Sequence, residues 1–239
     1  MPISTAGGTP AVHGEFTRAP WGVVFDVDGT MVDNHAWHQA GWIELGRRRG
    51  LPIDADYYRD HIHSKDNGVI LENMRKNFGL PELGQDVADE KEAIYRELYR
   101  PVLKPMDGLM DFLEQLRLQR IPCAVASNAP EPNARMILEA LAIEDLFAAV
   151  ITPGPTLPGK PEPDIFLAAA AALNLAPSRC VVFEDSYSGF LAAGAAGMPC
   201  VAILHGASTV SLPYAARTQA QHRDFTTVHL PELLEALGL

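Results

Sequence analysis

The stretch that decides the fold is "WGVVFDVDGTMVDNH", residues 21–35. A short apolar run ends within it, and two carboxylates, Asp26 and Asp28, follow two positions apart. Gly29 comes directly after them, and a third acid stands at Asp33. Because a buried strand has no use for that much negative charge, we expect the strand to end before Asp26 and to deliver the acids to a site beyond it.

The composition is that of a folded protein with an acidic surface. The chain has 239 residues, 47% apolar and 21% charged, enough for one large domain or for one with a smaller insert. The formal net charge of −11 argues against binding to nucleic acid or to an anionic membrane, because both need a basic surface. An anionic small substrate is still compatible, since a bound metal or a local cation reverses the field inside one cleft.

The cysteines and the N-terminal residues favour a cytoplasmic protein. Cys123, Cys180 and Cys200 are an odd number and far apart, so we expect buried thiols in a reducing compartment rather than disulfides or metal ligands. Residues 1–19 lack the basic start and apolar core of a signal peptide, and no apolar run reaches transmembrane length. We expect a cytoplasmic monomer with a flexible tail over residues 1–19.

Short apolar runs rich in β-branched residues predict buried parallel strands. Helical patterns such as "GLMDFLEQLRLQR" and "NARMILEALAI" separate them. This alternation is typical of a doubly wound, Rossmann-like parallel α/β sheet with right-handed crossovers. The predicted strands are Gly22–Phe25, Cys123–Ala126, Val150–Thr152, Cys180–Phe183 and Cys200–Leu204.

One section breaks this alternation directly after the first strand. Its patterns are all helical, such as "AWHQAGWIELGRRRG" and "DEKEAIYRELYRPVL", which indicates a second, smaller domain hinged near Asn34 and near Lys104–Asp107. We expect Trp37 and Trp42 to pack inside it rather than to form a ligand platform. The predicted division is a core domain of residues 20–33 and 105–239 and an all-helical cap domain of residues 34–104.

Polar side chains follow four of the predicted strands. In open α/β sheets, ligands bind at the carboxyl ends of the strands, so we expect these side chains to meet in one crevice. Carboxylates gathered there would repel each other strongly unless a cation lay among them, and hard oxygen ligands favour Mg²⁺, which also binds substrate phosphate. In strand order the side chains are Asp26 and Asp28, then Ser127 and Asn128, then Lys160, then Glu184 and Asp185.

Each position also has a purely structural interpretation. An Asp-Gly pair at Asp28 is a common turn, and Ser127 can cap the helix that follows. Lys160 alone is normally exposed to solvent, and Glu184–Asp185 can begin a helix, where acids favour the helix dipole. None of these interpretations explains why all four positions fall on the same edge of the sheet.

Four motifs carry a family resemblance. They are "DVDGT" at 26–30, "ASN" at 126–128, "KPEPDIF" at 160–166 and "FEDSYSGFLAAGAAGM" at 183–198. In this order and spacing they resemble the haloacid dehalogenase superfamily, and most closely its β-phosphoglucomutase-like phosphatase branch, which inserts a helical cap after the first motif. The resemblance covers nearly everything from Trp21 to the C-terminus.

The resemblance implies a phosphoryl-transfer mechanism. Asp26 would be the nucleophile that forms an aspartyl-phosphate. Asp28 would protonate the leaving oxygen and then take a proton from the attacking water. Residues two apart on an extended chain face the same side, which suits this pair. Gly29 would let the backbone turn without a Cβ in the path of the substrate.

The resemblance also implies which residues bind the metal and the phosphate. Mg²⁺ would be held by Asp185, the Asp26 carboxylate and the backbone carbonyl of Asp28, with Glu184 assisting from the outer shell. The transferring phosphoryl oxygens would be bound by Ser127, Lys160 and the backbone amides of Asn128 and Ala129.

Three cap residues are candidates for substrate contact. The segment "HIHSKDNGVI" resembles the cap specificity loop of the branch and points to Lys65 and Asn67, although Lys65 is also compatible with an ordinary surface lysine. His38 matches a histidine near the cap hinge of β-phosphoglucomutases, and the alternative is a partly buried helix histidine.

Two activities of the branch compete as functions. Where β-phosphoglucomutases carry a lysine and an asparagine after the second-motif serine, this chain has Pro130 and Glu131. Where they carry a cap arginine, it has Lys65, which cannot bind phosphate in bidentate fashion. We therefore expect a Mg²⁺-dependent phosphatase of a small phosphorylated metabolite, such as a sugar phosphate, with β-phosphoglucomutase as the alternative. A catalytically inactive metabolite-binding module would be expected to have lost Asp26 or Asp28, and this chain has both. Dehalogenases that resemble this fold lack an acid two residues after the nucleophile, the position that Asp28 fills here.

Overall fold

Six parallel strands form one sheet in the computed structural model. The structure describes residues 21–63, 65, 67–204, 218 and 220–237, and the expected flexible tail lies outside them. In chain order the strands are β1 (Gly22–Phe25), β2 (Cys123–Ala126), β3 (Phe147–Ile151), β4 (Cys180–Glu184), β5 (Cys200–Ile203) and β6 (Ala220–His222).

The strand order places β1 at the centre of the sheet. The order is β3-β2-β1-β4-β5-β6, so the chain runs outward from β1 on one side and then on the other. Such a reversal is the point at which doubly wound sheets bind ligands. Phe25 pairs with Val125 of β2 and with Phe183 of β4, so the residues that follow these strands stand level with each other. The predicted fold class is confirmed, and its switch point lies at Asp26.

Helices cover the sheet and form the insert between β1 and β2. The first four belong to the all-helical insert, which we call the cap, and the short α2 continues into a π-helical turn at Tyr58–Ile62. The helices are α1 (His35–Arg49), α2 (Ala55–Tyr57), α3 (Asn67–Phe78), α4 (Gln85–Tyr99), α5 (Leu109–Leu118), α6 (Glu131–Leu141), α7 (Asp164–Leu173), α8 (Tyr187–Ala195) and α9 (Leu230–Leu237).

The two faces of the sheet bury separate cores. Val23 and Phe25 point into a core shared with α5, α6 and α9, whereas Val24 points into a second core shared with α7 and α8. Phe25 stacks on Phe183 at 5.3 Å and meets Phe112 edge to face at 6.3 Å. Each such buried ring contributes about 1.5–3 kcal/mol, so the end of β1 is anchored directly beneath the acids that follow it.

The cap has a core of its own but also packs on the sheet domain. Trp42 lies in the cap core with residues of α3 and α4, as expected. Tyr95 and Tyr99 of α4 belong instead to the core of the sheet, and Trp37 packs beside Tyr99, with ring centroids 5.9 Å apart. Trp37 therefore packs on a cap residue, as expected, but on the side of α1 and α4 that faces the core of the sheet.

Several element boundaries differ from the predicted ones. β3 begins at Phe147 and ends at Ile151, so the prediction of Val150–Thr152 missed its first half. All five residues of the strand are apolar, but it is only partly buried, and its two alanines lack the β-branched character on which the prediction relied. β6 was not predicted at all, because "AQH" has no apolar run and becomes a strand by pairing with β5.

The predicted state of the cysteines is confirmed. Cys123, Cys180 and Cys200 are all buried free thiols, and burial raises the pKa of Cys123 to about 12 and that of Cys180 to about 11. They therefore pack as small apolar side chains rather than as reactive groups. None of the described helices combines the length and the apolar character needed to cross a membrane.

Candidate active site

The acids of the opening motif stand at the carboxyl end of β1. The Asp26 N–H donates to the Phe183 carbonyl at 3.0 Å, which extends the parallel ladder by one residue. Val27 is fully buried in the core of the sheet. Asp26 and Asp28 make their contacts away from that core, as alternation along an extended chain requires. The spacing of two thus places both carboxylates at one site.

Gly29 allows the chain to turn tightly after these acids. Its φ of +81° is a left-handed conformation that favours glycine, and its N–H donates to the Val32 carbonyl at 2.9 Å. A Cβ at this position would lie 2.0 Å from an oxygen of Asp185. Any side chain at Gly29 would therefore displace the Asp185 carboxylate.

A buried lysine joins two of the predicted strand ends. The Lys160 side chain is only 1% exposed, and its Nζ donates to Asp26 Oδ1 at 2.5 Å and to Glu184 Oε1 at 2.7 Å. Burial disfavours the charged amine, but the two carboxylates outweigh it and raise the pKa of Lys160. The interpretation of Lys160 as a surface lysine is therefore wrong, and the residue is a fixed cation beside Asp26.

Asn128 holds the main chain of Lys160 in place. Its Oδ1 accepts from the Lys160 N–H at 2.8 Å, and its Nδ2 donates to the Lys160 carbonyl at 3.0 Å. Lys160 lies in a loop without regular structure between β3 and α7, so these two bonds tie that loop to the end of β2. The side chain of Asn128 thus has a task that the sequence did not suggest, separate from the task predicted for its backbone amide.

Glu184 uses both of its carboxylate oxygens. Oε1 accepts from Lys160, and Oε2 accepts from the Ser186 N–H at 2.6 Å. Helix α8 packs so closely that a Cβ at Gly189 would lie 1.9 Å from the Glu184 carboxyl carbon. Glycine is therefore needed at position 189, and the Glu184 carboxyl group is held in place beside Lys160.

Three carboxylates form a cluster that could hold a metal ion. One oxygen from each of Asp26, Glu184 and Asp185 lies within 4.8 Å of the others. All-oxygen donors from carboxylates at this spacing fit a hard divalent cation such as Mg²⁺. Since Lys160 and Ser186 already occupy both oxygens of Glu184, Asp26 and Asp185 are the better placed direct ligands.

The electrostatics of this cluster favour an added cation. Burial raises the pKa of Asp26 to about 7, with Lys160 opposing the shift and Glu184 and Asp28 adding to it. Burial likewise holds the pKa of Asp185 well above its usual range, and Glu184 and Asp26 reinforce the shift. Ionising these neighbours together is therefore unfavourable without a further positive charge.

Asp28 lies in a different environment, made by the cap. The Asn34 amide donates to Asp28 Oδ1 and also to the Tyr95 hydroxyl, the latter at 2.7 Å. His38 Nε2 lies 3.9 Å from the same carboxylate oxygen. Burial opposes ionisation of Asp28, but the contacts with His38 and Asn34 outweigh it and lower the pKa of this carboxyl.

The Ser127 hydroxyl is positioned as a donor. Ser127 is 1% exposed, and its Oγ accepts from the Ala129 N–H at 3.1 Å, which leaves the hydroxyl proton to point elsewhere. The Ala129 N–H therefore already donates to a group of the protein. Of the two backbone amides predicted to bind phosphate, that of Asn128 is the better candidate. Helix α6 begins only at Glu131, after Pro130 at its N-cap, and Ser127 therefore does not cap it.

The structural interpretation of Glu184–Asp185 is also wrong. Glu184 is the last residue of β4, and α8 begins at Tyr187 with Ser186 as its N-cap, whose side chain accepts from the Gly189 N–H. The two acids precede the helix instead of forming its first turn.

A family model described as haloacid dehalogenase-like hydrolase matches residues 22–197, which include every core site residue from Asp26 to Asp185. The chain belongs to the haloacid dehalogenase-like hydrolases.

Two individual relatives of the hydrolase are enzymes that act on phosphorylated compounds, as their names state. Validoxylamine A 7′-phosphate phosphatase of Streptomyces hygroscopicus subsp. limoneus is 30% identical over 213 residues, 88% of this chain and 96% of its own. β-Phosphoglucomutase of Bacillus subtilis (strain 168) is 32% identical over 195 residues, 77% of this chain and 83% of its own. The first of these relatives supports a phosphohydrolase of this family.

A solved structure agrees with this placement. The crystal structure of a family IA, variant 3 hydrolase from Entamoeba histolytica HM-1:IMSS matches with a TM-score of 0.79 and 25% identity. The match covers 92% of this chain and 100% of that one. The sheet and the helical insert of the hydrolase are therefore an arrangement found in this family.

The predicted cap residues differ in where the structure places them. His38 stacks on Tyr95, with ring centroids 4.1 Å apart, and reaches toward Asp28. Lys65 is exposed, and its Nζ donates to the carbonyl of Asp60 at 3.2 Å in the preceding π-helical turn. Asn67 is the first residue of α3. The contacts described for these residues bring His38 to the acids but do not bring Lys65 or Asn67 to them.

Sequence reasoning missed the groups that support His38. Lys91 Nζ lies 2.8 Å from His38 Nδ1, and Lys91 is only 3% exposed. Burial lowers the pKa of Lys91, and the neighbouring Glu92 opposes the shift. A signal was present in the sequence, because Val87, Lys91 and Tyr95 are spaced four apart on the buried face of α4, and a lysine in an apolar stripe requires a partner.

Proposed function

We propose that this hydrolase is a Mg²⁺-dependent phosphatase that hydrolyses a small phosphomonoester, such as a sugar phosphate, through an aspartyl-phosphate intermediate. The observation that carries the proposal is the convergence of Asp26, Lys160 and Asp185 at the carboxyl end of β1. A carboxylate nucleophile, a fixed cation and a metal-binding carboxylate are the parts that phosphoryl transfer requires.

In the first step, an oxygen of Asp26 attacks the phosphorus of the substrate. The Asp26–phosphorus bond forms as the bond to the ester oxygen breaks, and Asp28 gives its proton to the leaving oxygen. Asp28 must enter this step protonated, although its contacts with His38 and Asn34 in the absence of substrate favour its anion. In the second step, Asp28 takes a proton from a water that attacks the phosphorus, and the bond to Asp26 breaks to release phosphate. The two carboxylates can share this work because they lie two residues apart on one side of the chain.

The transferring group is stabilised by donors from three segments. Lys160 supplies a positive charge, the Ser127 hydroxyl a proton, and the Asn128 N–H a backbone donor. Gly29 keeps this space open, since its position has no room for a side chain. Donors that are already fixed before substrate arrives lose little free energy in reorganisation, which makes them effective in the transition state.

Asp26, Asp185 and the carbonyl of Asp28 would hold Mg²⁺, with Glu184 in the outer shell. When bound, the ion would neutralise charge between the nucleophile and the anionic substrate. The engagement of Glu184 by Lys160 and Ser186 supports its outer role. The raised pKa values of Asp26 and Asp185 support the need for a cation at this position.

The helical insert, residues 34–104, would serve as a cap domain over the core of residues 20–33 and 105–239. Closing a cap over the crevice excludes water and lets cap residues select the substrate. We assign substrate contact to His38, Lys65 and Asn67, the last two through cap movement. A sugar phosphate is favoured because one relative is a phosphoglucomutase by name.

Isomerisation by a β-phosphoglucomutase activity is the second candidate, which the relative from Bacillus subtilis favours. It requires a second phosphate site in the crevice. At the position after the second motif, Pro130 caps α6 and Glu131 pairs with Arg135 at 2.7 Å, so this segment offers an anion where a phosphate would need a cation. Hydrolysis is therefore the better supported activity.

Phosphate release from a panel of phosphorylated metabolites, with and without Mg²⁺, tests the proposal. β-Glucose 1-phosphate with a bisphosphate activator is assayed in parallel for glucose 6-phosphate formation. We expect Mg²⁺-dependent release of inorganic phosphate from at least one sugar phosphate. Conversion without net phosphate release would show a mutase, and no reaction with any ester would contradict both activities.

We also propose a cytoplasmic monomer that binds a small phosphorylated metabolite and neither nucleic acid nor membrane. The buried free thiols and the net charge of −11 support this setting. Size-exclusion chromatography with light scattering tests the oligomeric state, and a mass near twice 26.0 kDa would contradict it.

A further inference from the structure

A chain of buried polar groups connects the core helix α6 to the cap helix α4. Asn133 Nδ2 donates to Glu92 Oε2 at 2.7 Å, and Asn133 Oδ1 accepts from Arg96 Nη1 at 2.7 Å. The other oxygen of Glu92 accepts from Lys91 Nζ at 3.1 Å. Asn133, Glu92 and Lys91 are 0%, 7% and 3% exposed. The contact between the helices is therefore a specific set of hydrogen bonds.

Each member of this chain is costly to bury without its neighbours. A carboxylate and an ammonium group placed inside a protein need both mutual pairing and further hydrogen bonds to offset lost hydration. Glu92 completes its bonding only through Asn133, which belongs to the other side of the helix contact. The position of Lys91 is consequently defined from α6 as well as from α4.

Lys91 in turn determines how His38 meets Asp28. Lys91 Nζ donates to Glu92 Oε1 at 3.1 Å, and a lysine ammonium group paired in this way has further N–H bonds to donate but no lone pair to accept with. His38 Nδ1, 2.8 Å away, must then be the acceptor, so the ring carries its proton on Nε2. Nε2 is the nitrogen that lies 3.9 Å from Asp28 Oδ1. The tautomer that can donate to Asp28 is thus selected by Lys91.

We propose that Asn133 and Glu92 are positioning residues for the acid–base group of this hydrolase. They form a latch between α6 and α4 that holds Lys91 against His38, and His38 then presents a donor to Asp28. The latch joins a core helix to a cap helix, so it forms only when α4 is docked on α6. Asp28 is therefore set for proton transfer by the same contact that seats the cap. This inference rests on the proposed phosphatase function.

The leaving group of the substrate provides the test. An alkyl phosphate needs its leaving oxygen protonated, whereas p-nitrophenyl phosphate releases a stable phenolate that does not need the acid. The value of kcat/KM reports the first step, in which this protonation occurs. We would measure it for p-nitrophenyl phosphate and for glucose 6-phosphate, or for the best alkyl ester of the metabolite panel.

The variants are Asn133→Ala and Glu92→Gln, with Arg135→Ala as a matched control. Arg135 lies on the same helix α6 but on its exposed face, paired with Glu131. Glu92→Gln preserves side-chain shape, so it keeps the test decisive if Asn133→Ala folds poorly. We expect each latch variant to lower kcat/KM for the alkyl ester by about tenfold more than for the aryl ester, the scale of a misplaced acid. Arg135→Ala should leave the ratio unchanged.

The possible results separate this inference from the function on which it rests. A latch variant that lowers kcat/KM by the same factor for both esters, or for neither, would overturn the positioning role. A wild-type enzyme that hydrolyses the aryl ester alone would overturn it too, since no acid would then be in use. A wild-type enzyme that hydrolyses neither ester, nor any member of the panel, would instead contradict the phosphatase function.

Discussion

Asp26 and Asp28 are separated by one residue, yet they lie in opposite environments. Asp26 is held by the sheet domain, through Lys160 and the neighbouring Glu184, and burial raises its pKa to about 7. Asp28 is held from the cap side, through Asn34 and His38, and its pKa is lowered. Two carboxylates of one short core motif are therefore held by different parts of the molecule, Asp26 by the core and Asp28 by the cap.

The difference separates the two tasks of the proposed reaction. The surroundings of Asp26 come from β4 and from the loop that Asn128 ties to β2, so these contacts do not involve the cap. The surroundings of Asp28 come from α1 and α4, so they depend on how the cap is seated. In the proposed reaction, phosphoryl stabilisation would come from the core, whereas proton transfer would be set by the cap.

Of the substitutions that test this difference between Asp26 and Asp28, Asp26→Asn should have the largest effect. The amide is nearly isosteric but a poor nucleophile, so we expect kcat to fall by about 10⁴-fold or more for every ester. Circular dichroism should show an unchanged fold, and intact-mass spectrometry during turnover should detect a phosphoryl adduct on the wild type only. Residual activity near the wild-type rate would remove Asp26 from its proposed role.

Asp28→Asn should divide substrates by their leaving groups. Because the amide cannot donate the proton, kcat/KM for an alkyl phosphate should fall by roughly 10²–10⁴-fold. For p-nitrophenyl phosphate the loss should be much smaller, since that leaving group needs no proton. Equal losses for both esters would mean that Asp28 does not act as the acid.

Lys160→Met should show the opposite behaviour. Removing the cation beside Asp26 weakens stabilisation of the phosphoryl group, which both classes of ester share, so kcat/KM should fall by roughly 10²–10³-fold for each. The exposed Lys76, which pairs with Glu72 on the surface of α3, provides the control as Lys76→Met. A loss confined to alkyl esters would place Lys160 on the proton-transfer side.

Of these substitutions, Gly189→Ala should have the smallest effect on the surroundings of Asp26. The added Cβ would meet the Glu184 carboxyl group at 1.9 Å, and the strain should lower the free energy of unfolding by about 1–3 kcal/mol. We expect a loss in kcat/KM of about tenfold, the same for both esters, as Lys160 loses its fixed partner. Gly154→Ala, where the described part of the chain places no atom beyond the adjacent residues within 4 Å of the new Cβ, is the matched control in thermal unfolding and in the assay. An unchanged activity for Gly189→Ala would show that Glu184 does not need its close contact with α8.

Much of the environment of Asp26 could be predicted from the sequence. Asp26 and Lys160 are 134 positions apart, but both follow predicted strands, and parallel strands bring their carboxyl ends to one edge. The topology of a parallel sheet therefore predicts that Asp26 and Lys160 lie close together, although they are far apart in the sequence. It did not predict the side-chain role of Asn128, because an amide that can bind phosphate can equally bind a loop.

The sequence by itself determined the sheet, the helical insert and the acids at the switch point, since each depends on local patterns of apolar residues and on strand order. Only the tertiary structure decided the partners of Asp28. The roles of Asn34, Lys91 and Asn133 depend on how α1, α4 and α6 pack against each other. No spacing of residues in the sequence predicts which side chains meet between packed helices. The tertiary structure likewise decided β6, which exists because β5 offers an edge to pair with.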